Sequence, residues 1–365
     1  MFPDADYAAR LDRARKLMSA SGVDVMLLSV GADLPYFSGY EATPLERLTM
    51  LVVPRDADAT MVVPRLEAPR VVPRGNAFAV LPWDETEDPV AIVAAHAGGA
   101  TKAALGDQTW ALFLMALQRQ MPKTAFVSAS AVTRELRMRK DPSELALLRA
   151  AAEATDRVVA ALDSVQFAGR TERNLSEEVQ NRVLAEGHDT APFAIVASGP
   201  NAASPHHEAS HRVIQEGDTV VVDFGGRWRG YCSDTTRTFF VGEPDAEVAE
   251  AFAVLEAAQA AGRAAVRPGV AAEEVDRATR AVIAAAGYGD RFIHRTGHGI
   301  GLEVHEHPYV VEGNGIALEP GMTFSIEPGI YVPDRFGMRI EDIVACGATG
   351  IDELNRSPRH LHLVG

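Results

Sequence analysis

The chain has 365 residues, 47% of them hydrophobic and 23% charged, the balance of a soluble globular protein and not of a disordered one. Lys and Arg number 35 against 50 Asp and Glu, a formal charge of −15 that repels phosphate backbones and argues against a nucleic-acid partner. Two cysteines, Cys232 and Cys346, are too few for a disulfide scaffold or a thiolate zinc finger.

The length predicts two domains. The longest apolar runs, such as 110–117, span about eight residues against the ~20 of a membrane-crossing helix, so no membrane partner is expected. The opening MFPDADYAARLDRARKLM is charged and helix-patterned, without the apolar core of a signal peptide. A cytoplasmic protein is the expectation.

Up to about residue 125, β-rich runs alternate with helical spacing. Strands are predicted over 23–29, 48–53, 59–63 and 77–81, and helices over 7–19, 88–97 and 108–120. The stretch 134–140 is basic and non-periodic, and Asp141-Pro142-Ser143-Glu144 then opens a helix, with Asp as N-cap, Pro at the first position and Glu at N3. These signals divide the chain into a small α/β domain, 1–130, and a larger domain, 131–365.

The larger part repeats itself. Gly169 and Gly187 bracket one helical segment, Gly269 and Gly287 another, with the pairs offset by 100 residues. Longer helical stretches (142–163 and 244–266) precede them, and a hairpin pattern follows each. Two αα-plus-hairpin halves related by a pseudo-two-fold axis are predicted, with strands able to share one sheet.

In the first hairpin, alternation sets Val220 and Val222 against a helix layer and Val221 with Asp223 on the other face. Asp234 lies 11 residues further on, across the turn. In the second, Thr323, Ser325 and Glu327 share a face, as do Arg339 and Glu341. Glu327 and Glu341 are offset from Asp223 and Asp234 by 104 and 107. Four carboxylates converging in a core require strong positive charge, which divalent cations supply. Between the pairs lies HRTGHGIGLEVHEHP, with His294, His298 and His305. One histidine and four carboxylates make a mostly oxygen donor set for two metals, favouring Mn(II) or Co(II) over a structural zinc, although Zn(II) also binds such groups.

These residues resemble the M24 metallopeptidases of the pita-bread fold, the methionine aminopeptidase, aminopeptidase P and prolidase group. The likeness covers about 140–350 and rests on HRTGHGIGLEVHE with SPHHEAS (204–210), SDTTRTF (233–239), IEPGIY (326–331) and MRIED (338–342). DLPYFSGY (33–40) looks like the creatinase-type N-terminal domain of the proline-peptidase branch. The resemblance implies an α/β (α+β) protein with a pita-bread catalytic domain behind a creatinase-like one, a homodimer, and metal ligands Asp223, Asp234, His298, Glu327 and Glu341. It implies that Asp234 and Glu341 bridge the metals and that Glu327 relays the nucleophile's proton. His206 or its neighbour His207 contacts substrate, His305 assists the tetrahedral intermediate, and His294 lines a proline pocket. Arg339, on the face of Glu341, is expected either to orient that ligand or to meet a substrate carboxylate, with Tyr231 similar. Apart from the resemblance, Asp33 and Arg47 either lie in a solvated loop or supply charges for the substrate's amino and carboxylate ends.

The expected reaction is hydrolysis of the Xaa-Pro imide bond by a hydroxide held between two metals, in dipeptides or, alternatively, at the N-terminus of longer peptides. A metal-free creatinase-type enzyme is disfavoured because all five ligand positions are intact. The alternative outside catalysis is a peptide- or protein-binding module on the same fold.

Overall fold

The computed structural model describes residues 6–365 and divides into two compact units, Met1–Arg137 and Met138–Gly365. The first unit runs α1 (Tyr7–Ser21), β1 (Val25–Leu28), α2 (Asp33–Ser38), β2 (Met50–Pro54), β3 (Ala59–Pro64), β4 (Phe78–Trp83), α3 (Pro89–His96), β5 (Lys102–Leu105), α4 (Ala111–Gln120), β6 (Ala125–Ser128) and α5 (Ser130–Arg137). Its strands form one mixed sheet in the order β4-β3-β2-β1-β5-β6. Val25, Leu27, Val52 and Val62 of that sheet pack with Val93 of α3 and Leu117 of α4, each buried side chain contributing about 1.5–3 kcal/mol.

In the first unit four elements, α2, β5, β6 and α5, lie outside the sequence expectation. β5 is Ala-rich, of weak strand propensity, and β6 is only four residues long; both are held by pairing to β1 and to each other. The start of 134–140 is helical: α5 buries Val132 and Thr133 and keeps Arg134 and Arg137 in its last turn, where cations suit the helix dipole.

The second unit begins with α6 (Pro142–Leu162), whose start is a full capping box between Asp141 and Glu144. There follow α7 (Glu172–Ala185), β7 (Thr190–Ser198), β8 (Thr219–Trp228), β9 (Tyr231–Cys232) and β10 (Thr235–Val241). The second half runs α8 (Ala246–Ala265), α9 (Ala272–Ala285), β11 (Gly297–Gly299), β12 (Glu306–Val310), β13 (Thr323–Ile326), β14 (Gly329–Val332), β15 (Phe336–Arg339), β16 (Asp342–Cys346), β17 (Ile351–Glu353) and β18 (His362–Val364).

The internal repeat is present at the level of single hydrogen bonds. Gly169 N donates to Ile214 O and Ile214 N to Arg170 O, while Gly269 N donates to Leu318 O and Leu318 N to Val270 O. Gly169, Gly187, Gly269 and Gly287 all have positive φ, the left-handed turn that ends or re-aims a helix without a Cβ clash.

The halves do not share one continuous sheet. One sheet has the order β18-β10-β8-β7 and the other β12-β11-β13-β16-β17, linked by a single bridge between Thr236 and Glu341. The second hairpin is also split: β13 pairs with β16, and β14 with β15. The break falls at Glu327-Pro328, where proline has no N–H to donate. Alternation is as expected: Val220, Val222 and Phe224 join a core with Val158 and Leu175, and Phe324 and Ile326 join one with Val275. The opposite faces are therefore free to carry polar groups.

Candidate metal centre

Each acidic side chain of interest sits in or beside a strand whose other face is anchored in a hydrophobic core. Asp223 lies in β8 with Thr236 of β10 as its cross-strand partner, and Asp234 immediately precedes β10. Glu327 follows β13, Glu341 precedes β16, and His298 is the middle residue of β11. All five line one cavity of about 520 Å³, together with Phe193, His206, His294, Arg295, Val304, His305 and Arg339. Glycine is required around His298. A Cβ on Gly297 would lie 1.9 Å from Ser325 O, and one on Gly299 would lie 2.2 Å from His307 O. Only bare backbone lets β11 fit between β12 and β13 and deliver the imidazole.

The donor atoms converge. His298 Nε2 is 3.3 Å from Glu327 Oε1, 3.5 Å from Asp234 Oδ2 and 3.8 Å from Glu341 Oε1. Among the described residues, three groupings could hold a cation: Asp223, Asp234 and Glu341; His298, Glu327 and Glu341; and Asp234, His298 and His305. His298 Nδ1 lies 3.1 Å from Gly299 O, which favours the tautomer with a free lone pair on Nε2. Ser325 Oγ donates to Glu327 Oε1 at 3.0 Å, and Thr236 Oγ1 to Glu341 Oε2 at 2.7 Å.

The electrostatics call for positive charge. Asp223 Oδ1 and Glu341 Oε1 are buried without a hydrogen-bond partner, a costly condition for carboxylate oxygens. Burial raises Asp234 well above the carboxylate range, with the charge of Glu341 adding to it. Burial likewise raises Glu341, reinforced by Glu327. Burial pushes Glu327 up to about 7, against the opposing pull of Arg339, and pushes His298 down to about 3, helped by His305. A cluster that resists ionisation, aims orphan oxygens at one point and holds a neutral imidazole fits hard divalent cations.

Around this cluster the structure separates two neighbouring histidines. His206 lines the cavity, whereas His207 Nε2 lies 3.0 Å from Glu172 Oε2. Arg339 binds Asp223 through Nη2 and donates from Nη1 to Tyr331 Oη at 2.9 Å. His294 Nε2 is 2.9 Å from the same hydroxyl, and burial with the charge of Arg339 pulls its imidazole down to about 4. The sequence alone assigns no role to Tyr331, Thr236, Ser325, Phe193 or Val304. The alternation that placed Ser325 with Glu327 was the available signal for one of them.

Tyr231 is fully buried in β9, and its hydroxyl donates to Glu144 Oε1 at 2.6 Å; it is not among the cavity-lining residues. Asp33 and Arg47 belong to the first unit. Arg137 pairs with Asp33 at 2.8 Å, and Arg47 with Glu85 at 2.7 Å and Glu46 at 2.8 Å.

Comparison with known proteins agrees with this geometry. Residues 146–348 match the metallopeptidase family M24, and residues 10–139 the creatinase/prolidase N-terminal domain. The chain is 45% identical over 363 residues to the probable dipeptidase PepE of Mycobacterium tuberculosis, covering 98% of this chain and 96% of that one. It is 34% identical over 373 residues to the Xaa-Pro dipeptidase of Lactobacillus helveticus, covering 97% and 98%. The crystal structure of dipeptidase PepE from Mycobacterium ulcerans superposes with a TM-score of 0.93 at 43% identity, over 100% of this chain and 99% of the other. With family, fold and a cation-ready cluster in agreement, the chain belongs to metallopeptidase family M24 and is a peptidase of the pita-bread fold.

Proposed function

We propose that the protein hydrolyses the imide bond of Xaa-Pro dipeptides with two divalent cations held by Asp223, Asp234, His298, Glu327 and Glu341. The observation that carries the metal assignment is the pair of orphaned buried oxygens, Asp223 Oδ1 and Glu341 Oε1, within a cluster able to hold cations. When bound, the two cations supply Lewis acidity to the scissile carbonyl and lower the pKa of water held between them. Mn(II) is favoured over Co(II) and Zn(II) by the oxygen-rich donors.

The protein's own groups do the rest. Water adds to the carbonyl carbon of Xaa, and Glu327 accepts its proton. The C–N bond then breaks, and that proton passes to the leaving proline nitrogen, giving a carboxylic acid and a secondary amine. Glu327 lies on the cavity wall, 3.3 Å from His298 Nε2, a place from which a carboxylate can take and return a proton. His206 and His305, on the cavity wall, donate hydrogen bonds as negative charge develops on the carbonyl oxygen. Burial lowers His305 below the usual histidine range, with Arg295 adding to the effect, so it acts as a neutral donor.

His294, Tyr331 and Arg339 form one hydrogen-bonded wall that fits a proline ring and its carboxylate. Phe193 and Val304 give the cavity an apolar side for Xaa. The relatives named dipeptidase PepE and Xaa-Pro dipeptidase favour the dipeptide reading over removal of Xaa from longer peptides. Asp33 and Arg47 are weaker candidates for recognising the substrate's ends, since both have partners of their own. The first unit is proposed to pair two copies and to limit substrate access. Among the described residues no helix is long and apolar enough to cross a membrane, and both cysteines are free and buried, in keeping with a cytoplasmic protein.

A panel of Xaa-Pro and Xaa-Pro-Yaa peptides, run with protein stripped by chelator and reloaded with one defined metal, tests this. Cleavage of the dipeptides in the Mn(II) form supports it. Preference for the longer peptides replaces it with an aminopeptidase, and no cleavage of either removes the proline-peptidase reading.

A further inference from the structure

We infer that Glu172 is a positioning residue that sets His206 at the cavity wall, an inference that rests on the substrate-contacting role proposed for His206. Glu172 opens α7 and is fully buried. Its carboxylate accepts six hydrogen bonds, all from one segment, 198–210. Oε1 accepts from Ser198 N and Ser198 Oγ, both at 2.8 Å, and from Asn201 Nδ2 at 3.0 Å. Oε2 accepts from Ser210 N at 3.0 Å, Ser210 Oγ at 2.6 Å and His207 Nε2 at 3.0 Å. Both ends of the segment are thus tied to one side chain. Between the ties lie His206, on the cavity wall, and Pro205, whose carbonyl accepts from Arg339 Nη1 at 3.2 Å.

Helix capping does not account for this arrangement. Thr171 is the N-cap, and its hydroxyl already accepts from Asn174 N at 3.1 Å. A carboxylate offers about four lone-pair sites, and here every donor that fills them comes from the loop. Burying such a charge is unfavourable unless its hydrogen bonds are complete, so the loop and the acid specify each other.

The second half of the repeat uses the same device. Asp276 of α9 is buried, lies 104 residues after Glu172, and accepts from Thr296 N at 3.0 Å, between His294 and His298. Arg280 binds Asp276 and also donates to Phe292 O and His294 O. Each half therefore uses a buried acid on its second helix to hold a loop that brings a histidine to the cavity.

The test compares wild type, Glu172→Gln, Ser210→Ala, His206→Ala and the Glu172→Gln/His206→Ala double variant, all loaded with Mn(II). Amide exchange of 198–210 is expected to quicken at least tenfold in Glu172→Gln while β8 and β10 stay protected. The kcat for an Xaa-Pro dipeptide is expected to fall ten- to a hundredfold, with KM and Mn(II) affinity within twofold of wild type. In the His206→Ala background the same change should cost less than twofold more. Should Glu172→Gln fail to fold, Ser210→Ala gives the milder version, three- to tenfold in kcat. Unchanged exchange of the loop, or losses that multiply in the double variant, would overturn the assignment. Exchange needs no substrate, so a wild type without peptidase activity sinks the proposed function while the loop measurement still decides what Glu172 holds.

Discussion

Thr236 and Glu341 meet twice: Glu341 N donates to Thr236 O at 3.1 Å, and Thr236 Oγ1 donates to Glu341 Oε2 at 2.7 Å. The two half-repeats touch here beside the candidate cation cluster, as they also do where Arg339 binds Asp223. The same hydroxyl accepts from Arg339 Nε at 3.1 Å. Replacing Thr236 by Val keeps the shape and removes both links. Metal affinity is expected to fall about 10- to 100-fold, the usual effect of losing an orienting partner, measured by calorimetric titration of Mn(II). An unchanged affinity would mean that the backbone bridge alone orients Glu341.

The raised proton affinity of Glu327 gives stability a definite dependence on pH. Its folded pKa, about 7, lies above the ordinary 4.5. Its stabilising contribution in the metal-free protein is therefore fully present below about 4.5 and is lost as pH rises through about 7. Cations replace the missing proton. Relative to Glu327→Gln, stripped wild type should lose Tm between pH 5 and pH 8, and Mn(II) should raise the Tm of wild type more at pH 8. At a hundredfold excess over Kd the gain is about 2.7 kcal/mol. Thermal melts with and without chelator at the two pH values measure it.

Glu172 has the opposite sign. Burial alone would raise it, but hydrogen bonds from Ser210, Ser198 and Asn201 prevail and pull it down to about 2 from 4.5. Its contribution is present above about 4.5 and fades as pH falls toward 2, worth roughly 3 kcal/mol at about 1.4 kcal/mol per unit. Acid denaturation of Glu172→Gln should accordingly show a shallower loss of stability between pH 4.5 and 2 than wild type, followed by circular dichroism. Equal slopes would exclude the ionised pairing.

Tyr331 links His294 and Arg339 through one hydroxyl. Tyr331→Phe should raise KM for Xaa-Pro dipeptides about tenfold and change kcat less, because it loosens the wall without touching the cation ligands. A loss confined to kcat would place the hydroxyl in the chemical step instead.

Much of this was legible in the sequence because strand alternation and sequence order are local properties. Val220, Val222 and Asp223 had faces assigned by period alone, and the glycine pairs 18 residues apart marked the repeat. Other features depended on contacts that no local pattern encodes. β5 is Ala-rich and β6 is only four residues long, and both become strands through their partners. That His206 lines the cavity while His207 meets Glu172, over 30 residues away in sequence, is such a contact. The hydrogen bond from Tyr231 to Glu144, 87 residues apart in sequence, is another.

Anomalous diffraction from crystals of the protein grown with Mn(II) tests the central claim most directly. Two peaks enclosed by Asp223, Asp234, His298, Glu327 and Glu341 are the expected result. A difference map empty at that position, from crystals whose protein still hydrolyses Xaa-Pro dipeptides in the presence of chelator, would contradict it.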